Sequence, residues 1–259
     1  MKSIAIFTTP RSGSHFLSAC LSEASGMKDS DEILNYKTTR TGKTKPEIIQ
    51  EHKEDCVFIV HGFHLDGLED SDFNDVHRIH LERLDKIGQL ISAFVLQHRI
   101  HYKEHNGRFW DDEPITLTLD ENHLYTLMSS FISTKFLQKH MYDGLPIVYY
   151  EDLEKNPLKE VNKVFEALNL PKVNNLAIPP SMRFKHRTIN EQTVTNYDEA
   201  KQWIFSIFSN SSVDDILKKV SDIVCPRYGV TLDDLSDSII DESRKAIARY
   251  LNNHGIHDQ

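Results

Sequence analysis

An α/β fold, a parallel sheet with helices on both faces, is what this sequence predicts, and three apolar runs with helical patterns between them predict it. Ile4-Ala5-Ile6-Phe7, Cys56-Val57-Phe58-Ile59-Val60 and Pro146-Ile147-Val148-Tyr149-Tyr150 are continuously apolar rather than alternating, as strands buried on both faces are. Strands that alternate with helices pack as a parallel sheet, because each crossover must return the chain to the same end. Ligands on such sheets sit beyond the carboxyl ends of the strands, so the loops after these runs are the ones to read closely.

The first of these loops is the most informative. Ile4–Phe7 runs into Thr8-Thr9-Pro10-Arg11-Ser12-Gly13-Ser14-His15 and then into a helix with Phe16, Leu17, Cys20, Leu21 and Ala24 on its apolar side. Amides at a helix start have no partner within the helix, and the dipole makes that end positive, so an oxyanion is its natural guest. Arg11 adds a full charge and a fork of donors. Strand–turn–helix junctions with Pro and Gly often do no more than turn the chain, but here glycine, hydroxyls and a cation coincide, and the loop is expected to hold a phosphate-like group through Arg11, Ser12, Gly13, Ser14 and His15. The nucleotide-loop pattern G-x-x-x-x-G-K-[ST] is absent, since neither its second glycine nor its lysine occurs, which disfavours an ATP or GTP hydrolase.

Residues 26–55 are polar and read as a surface excursion with a short helix near Pro46–His52. A further strand is expected over His77–Leu81. The segment from Asp85 to about His101 carries Ile87, Leu90, Ile91, Phe94, Val95 and His98 at helical spacing, with Asp85 as its N-cap. A second long helix is expected from Asp120 to about Met141, stopped by Gly144. The strand at 146–150 leads through Glu151-Asp152-Leu153 to a helix bearing Val161, Val164, Phe165 and Leu168. Residues 171–196 read as mostly irregular, and three helices come after them near 198–208, 212–224 and 231–252, the last with a stripe that includes Leu232, Leu235 and Ile239. One domain over 1–259 is expected, with 198–259 as a helical C-terminal extension.

A net charge of −9 argues against nucleic acid or an anionic membrane as the main partner, so any anion site must be local. The three cysteines, Cys20, Cys56 and Cys225, form neither a disulfide framework nor a zinc pattern and suit a reducing compartment. No export signal and no apolar stretch near the roughly 20 residues of a bilayer span is visible, so a cytoplasmic, soluble protein is expected. His61/His64 and His77/His80 are paired at a spacing of three, but no third ligand completes a recognised metal pattern, and no metal is expected.

The opening loop resembles the 5′-phosphosulfate loop of sulfotransferases that use 3′-phosphoadenosine 5′-phosphosulfate (PAPS, whose product is PAP), in its arginine-containing PRSGS form. Arg83-Leu84-Asp85-Lys86 followed by Ser92 is similar to the family segment in which a strand-end arginine and a helix serine bind the cofactor's 3′-phosphate, with the spacing of the bacterial trehalose 2-sulfotransferase type. Tyr150-Glu151-Asp152-Leu153 with Asn156-Pro157 and Val161 resembles the family's YEDL…NP…V segment. These matches reach about half the chain. His15 departs from the usual threonine, and residues 26–55 and the last sixty match no named subfamily.

The resemblance implies a three-layer P-loop-like fold and transfer of a sulfuryl group to a hydroxyl of a carbohydrate or small metabolite, without metal, in a chain that can form a homodimer. Read physically, Arg11 with Ser12–His15 and Arg83 with Ser92 are two anion sites at the carboxyl ends of neighbouring strands, which a ligand with two phosphate-like ends fits. An acceptor hydroxyl also needs a base. Glu32 stands about where tyrosylprotein and trehalose-type enzymes carry a catalytic glutamate, and His61 about where cytosolic sulfotransferases carry their histidine; both stay open, with His64 as a lesser alternative. Lys185-His186-Arg187 sits where the family closes a basic loop over the nucleotide, so Arg187 joins the cofactor-binding candidates. Tyr102, Phe109 and Trp110 suit sugar stacking or plain core. A P-loop-like kinase or hydrolase and a noncatalytic nucleotide-binding protein are the competing functions.

Overall fold

β1 is Ile4–Thr8, and all five of its residues are buried. It pairs in parallel with β3 (Cys56–His61) on one flank and β4 (His77–Glu82) on the other. β2 (Lys28–Asp29) extends the sheet beyond β3, and β5 (Ile147–Tyr149) beyond β4, so the order is β2-β3-β1-β4-β5 with every pairing parallel. The structure is a computed structural model that describes residues 1–34, 42–65, 68–106, 114–125, 127–128, 145–177, 192–228, 244–245, 247–248 and 252. Elements are numbered over those residues, which belong to two compact units, Met1–Leu84 with Leu137–Arg187 and Asp85–Phe136 with Thr188–Gln259.

In the first unit the period of two along each strand sorts the core onto two faces. Ile4, Ile6, Val57 and Ile59 pack with Leu17 and Leu21 of α1 (Ser14–Ser25) and with Phe165 of α5 (Pro157–Ala167). Ala5, Phe7, Phe58 and Val60 pack on the other face with Ile48 and Ile49 of α2 (Lys45–Glu51) and with Phe73. Helices on both faces of a central parallel sheet are the expected fold class. α2 starts at Thr44, whose hydroxyl accepts from the Glu47 N–H while the Glu47 carboxylate accepts from the Thr44 N–H, a capping box with Pro46 in the first turn.

The structure corrects two expectations for this unit. Residues 26–55 are not only surface: β2 lies among them, and Ile33, Leu34, Ile48 and Ile49 are buried in the core. A two-residue strand has no period to read, so its sequence looked like loop. The 146–150 run is shorter and wetter than expected, since Ile147 is exposed on the edge strand and Tyr150 already begins α4 (Tyr150–Lys155).

The second unit holds α3 (Lys86–Asn106), a helical stretch at 121–125, α6 (Tyr197–Asn210) and α7 (Val213–Tyr228) around a core that includes Leu90, Phe94, Leu124, Ile204 and Ile216. Asp85 caps α3 as expected: its Oδ1 accepts from the Gly88 N–H at 2.8 Å and its carbonyl from the Gln89 N–H at 3.0 Å. Apart from the helical residues 127–128, the rest of the 120–141 helix, Gly144 and most of the 231–252 helix lie outside the described residues. Among the described residues no helix is long and apolar enough to cross a membrane.

Phe58 of β3 is fully buried in the core face it shares with Phe7. Phe58→Ala is expected to cost about 3–5 kcal/mol, read as a fall in the urea midpoint at unchanged slope.

Candidate active site

The parallel register sets Thr8 level with His61 on one side and Leu81 on the other, so three strand ends stand abreast. The Thr8 hydroxyl donates to the Leu81 carbonyl at 2.9 Å, tying the end of β1 to the end of β4. Beyond it the chain turns sharply. Arg11 has φ 64° and Gly13 φ 89°, both left-handed. Ser12 is fully buried, and its hydroxyl touches that of Thr8 and donates to the Thr9 carbonyl at 2.7 Å. That hydroxyl is used to fold the loop, which leaves the backbone N–H as the group Ser12 can offer a ligand.

Gly13 is the N-cap of α1 and brings no side chain to the first amides. No acidic residue stands in the first turn either, so the positive end of the helix is left for an outside anion. Two reasons require glycine here. The left-handed φ is one. The ring of Tyr150 is the other: a Cβ at position 13 would sit 2.6 Å from Tyr150 Cε2 and closer still to Cδ2.

Arg83, the first residue after β4, donates from Nη1 to the Arg11 carbonyl at 3.3 Å, and its Cζ lies 5.1 Å from the Tyr150 ring centroid. The Arg83 guanidinium thus lies at the Arg11 backbone, near enough for its charge to act on the Arg11 side chain. Burial first, and then the charge of Arg83, lowers the Arg11 pKa from its ordinary value, with Glu32 and Tyr150 opposing. Two adjacent cations at an uncapped helix start form a site whose electrostatics call for an anion.

On the β3 side, Glu32 Oε1 accepts from His61 Nε2 at 3.0 Å. The two candidate bases, far apart in sequence, are in contact. The His61 hydrogen bond holds the Glu32 pKa below its ordinary 4.5 against the opposing effect of burial, with the nearby imidazoles of His61 and His15 adding to the fall. His64 accepts from the His61 backbone N–H through Nδ1 at 3.1 Å, and burial lowers its pKa to about 3, so it stays neutral. His15 turns its ring to the acids, with Nδ1 3.1 Å from Asp31 Oδ1 and Nε2 3.8 Å from Glu32 Oε1. Its backbone N–H, not its ring, is therefore its contribution to the loop. Asp31 itself has φ 58°. His15, Asp31 and Glu32 offer ligand atoms within 4.8 Å of one another, a grouping that sequence spacing could not reveal because His15 and the acids belong to different elements.

Of the remaining candidates, Ser14 is buried in the first turn of α1, and Ser92 is buried in α3 of the second unit. Arg187, with Lys185 and His186, lies outside the described residues, as do the aromatic side chains of Tyr102, Phe109 and Trp110. Sequence reasoning did not foresee the contacts of Tyr150 and Glu151. Glu151 accepts the Leu84 N–H with both oxygens, at 3.0 and 3.1 Å, and so fixes the residue next to Arg83.

No family model and no curated protein matches the chain. Solved structures do. A mouse sulfotransferase, SULT7A1, complexed with PAP is 14% identical, over 82% of this chain and 67% of its own, at a TM-score of 0.41. The sulfotransferase domain of the curacin biosynthetic pathway is 15% identical over 80% and 97%, at 0.42. A sulfotransferase from Alicyclobacillus acidocaldarius is 9% identical over 86% and 96%, at 0.44. All three are sulfotransferases. At such identities and scores the likeness carries no chemistry to this chain, whose own side chains must supply it.

Gly13→Ala is expected to destabilise the protein by about 1–3 kcal/mol, because a left-handed backbone is forced on a residue with a Cβ and the Tyr150 ring must move aside. Thermal denaturation checks it; an unchanged midpoint would contradict the tight cap.

Proposed function

We propose that the chain is a sulfotransferase that uses PAPS to sulfate a hydroxyl of a carbohydrate or small metabolite. The observation that carries this reading is the meeting of Arg83 with the Arg11 loop, Nη1 to carbonyl at 3.3 Å, at an uncapped helix start. Two cations there suit a ligand with two phosphate-like groups better than a single phosphate. Arg11 and the amides of Gly13, Ser14 and His15 would hold the 5′ end of the donor, and Arg83 its ribose phosphate. The donor brings the activated sulfuryl group; the protein supplies positioning and charge.

Sulfuryl transfer resembles phosphoryl transfer in placing the attacking and leaving oxygens in line, with negative charge growing on the leaving side. Arg11 and the loop amides neutralise that charge as fixed donors. On the other flank Glu32 takes the proton of the acceptor hydroxyl. A carboxylate has lone pairs on two oxygens, so the hydrogen bond from His61 orients Glu32 and keeps it ionised without using up its acceptor capacity. In this reading the two candidate bases are one unit, Glu32 accepting and His61 positioning. A cytoplasmic location accords with Cys20, Cys56 and Cys225 being buried thiols.

Transfer of labelled sulfate from PAPS to a panel of sugars and small alcohols tests the activity. Arg11→Ala is expected to lower kcat about 10²–10³-fold, as loss of an oxyanion donor does, whereas Arg83→Ala should chiefly weaken binding of adenosine 3′,5′-bisphosphate in calorimetry. Unchanged turnover in Arg11→Ala would defeat the assignment.

The pH profile separates the roles of Glu32 and His61. The depressed Glu32 pKa means the base stays ionised even below its ordinary titration range, and activity is lost as pH falls through the lowered value. His61→Ala removes the hydrogen bond and leaves burial, so the acid limb should move upward. Glu32→Gln should cut kcat roughly 10²–10⁴-fold and abolish that limb. An acid limb that stays put in His61→Ala would contradict the pairing.

A further inference from the structure

We propose that Tyr150 is a positioning residue: its ring holds the Arg83 guanidinium against the Arg11–Gly13 loop, fixing the spacing between the two cation sites. The functional consequence rests on the donor reading above; the contact itself does not.

Arg11 and Arg83 carry like charges close enough that Arg83 lowers the Arg11 pKa. That repulsion works against holding the Arg83 side chain at the loop. The Nη1–carbonyl bond, at 3.3 Å, is long for an N–H···O contact and correspondingly weak. The Tyr150 ring adds an attraction that opposes the repulsion, since a guanidinium 5.1 Å from a ring centroid is drawn to the negative face of the ring.

The same ring leans on the loop. Its edge occupies the space that a Cβ on Gly13 would need, so the glycine admits the ring as well as the turn. Loop, ring and guanidinium therefore close a circuit: Gly13 to Tyr150, Tyr150 to Arg83, Arg83 to the Arg11 carbonyl. The backbone fixes where the ring stands. Tyr149 is the β5 partner of Glu82, so the residue after each strand end, Tyr150 on one and Arg83 on the other, emerges beside its neighbour. Glu151 then pins the next residue, Leu84, by its N–H.

The ring makes these contacts, and the hydroxyl does not. Burial pushes the Tyr150 pKa up to about 12, so the phenol does not ionise near neutrality, and its hydroxyl donates to Glu154 at 3.2 Å. Phenylalanine should then replace Tyr150, and leucine should not. A fixed spacing also makes a selective prediction. A ligand that bridges both sites loses affinity when the ring is lost, whereas a ligand held by the loop alone is little affected; general damage to the fold would weaken both alike.

Calorimetric titration of the wild type, Tyr150→Leu and Tyr150→Phe with adenosine 3′,5′-bisphosphate and with adenosine 5′-monophosphate reads this out. Tyr150→Leu should weaken the bisphosphate about tenfold, as loss of a cation–π contact of this kind does, with a much smaller change for the monophosphate, and Tyr150→Phe should restore the wild-type value. Equal weakening of both ligands, no weakening of the bisphosphate, or failure of Tyr150→Phe to rescue overturns the proposal. Side-chain NMR of the ligand-free protein gives a second reading: the Arg83 guanidinium should show a ring-current shift in the wild type and in Tyr150→Phe that Tyr150→Leu lacks. Absence of that shift overturns the proposal too. Wild-type protein that keeps the shift but ignores the bisphosphate supports the contact and defeats the donor reading.

Discussion

Thr8, His61 and Leu81 stand side by side because β1 is hydrogen-bonded to β3 on one flank and to β4 on the other, all three running the same way. The rest of the site depends on that register. The loop after β1 emerges between the segments that leave β3 and β4, so Arg11 has the Glu32–His61 pair towards one side and Arg83 towards the other. A central strand flanked by two crossovers is also where an open parallel sheet parts its loops and leaves a crevice. Slippage of β1 against β4 by one residue would send every β1 side chain to the wrong face, and the apolar packing on both faces forbids it.

The two flanks of the loop have opposite electrostatics. On the β4 side the structure gathers positive charge, with Arg11, Arg83 and the open end of α1, and sets the ring of Tyr150 against it. On the β3 side it gathers acids and imidazoles, with Glu32 and Asp31 facing His61 and His15. Under the proposed function, the positive flank would neutralise the leaving group and the carboxylate of the other flank would take the proton of a hydroxyl.

Within the loop, Arg11 and Gly13 both take left-handed backbone, and the hydroxyls of Thr8 and Ser12 are turned inward to hold that shape. The side chains that a motif would assign to the ligand are thus partly structural. Ser12 folds the loop and His15 reaches for Asp31 and Glu32, which leaves the backbone amides and the arginines to meet an anion.

The sheet, the helices on its faces and the loop after β1 were legible in the sequence, because buried strands are apolar without interruption and a Pro-Arg-Ser-Gly turn before a helix has a local meaning. β2 and the buried Ile33 and Leu34 were not, since two residues carry no period and a core position inside a polar stretch is recognised only when its neighbours are known. Sequence offered Glu32 and His61 as rivals; the tertiary structure made them partners at 3.0 Å, because β3 ends level with β1 while the chain before β3 returns past the same corner. It likewise brought Tyr150 between Gly13 and Arg83. Local chemistry is written in neighbouring residues, but which strand ends lie abreast depends on sheet order and register, set by the burial of the whole chain.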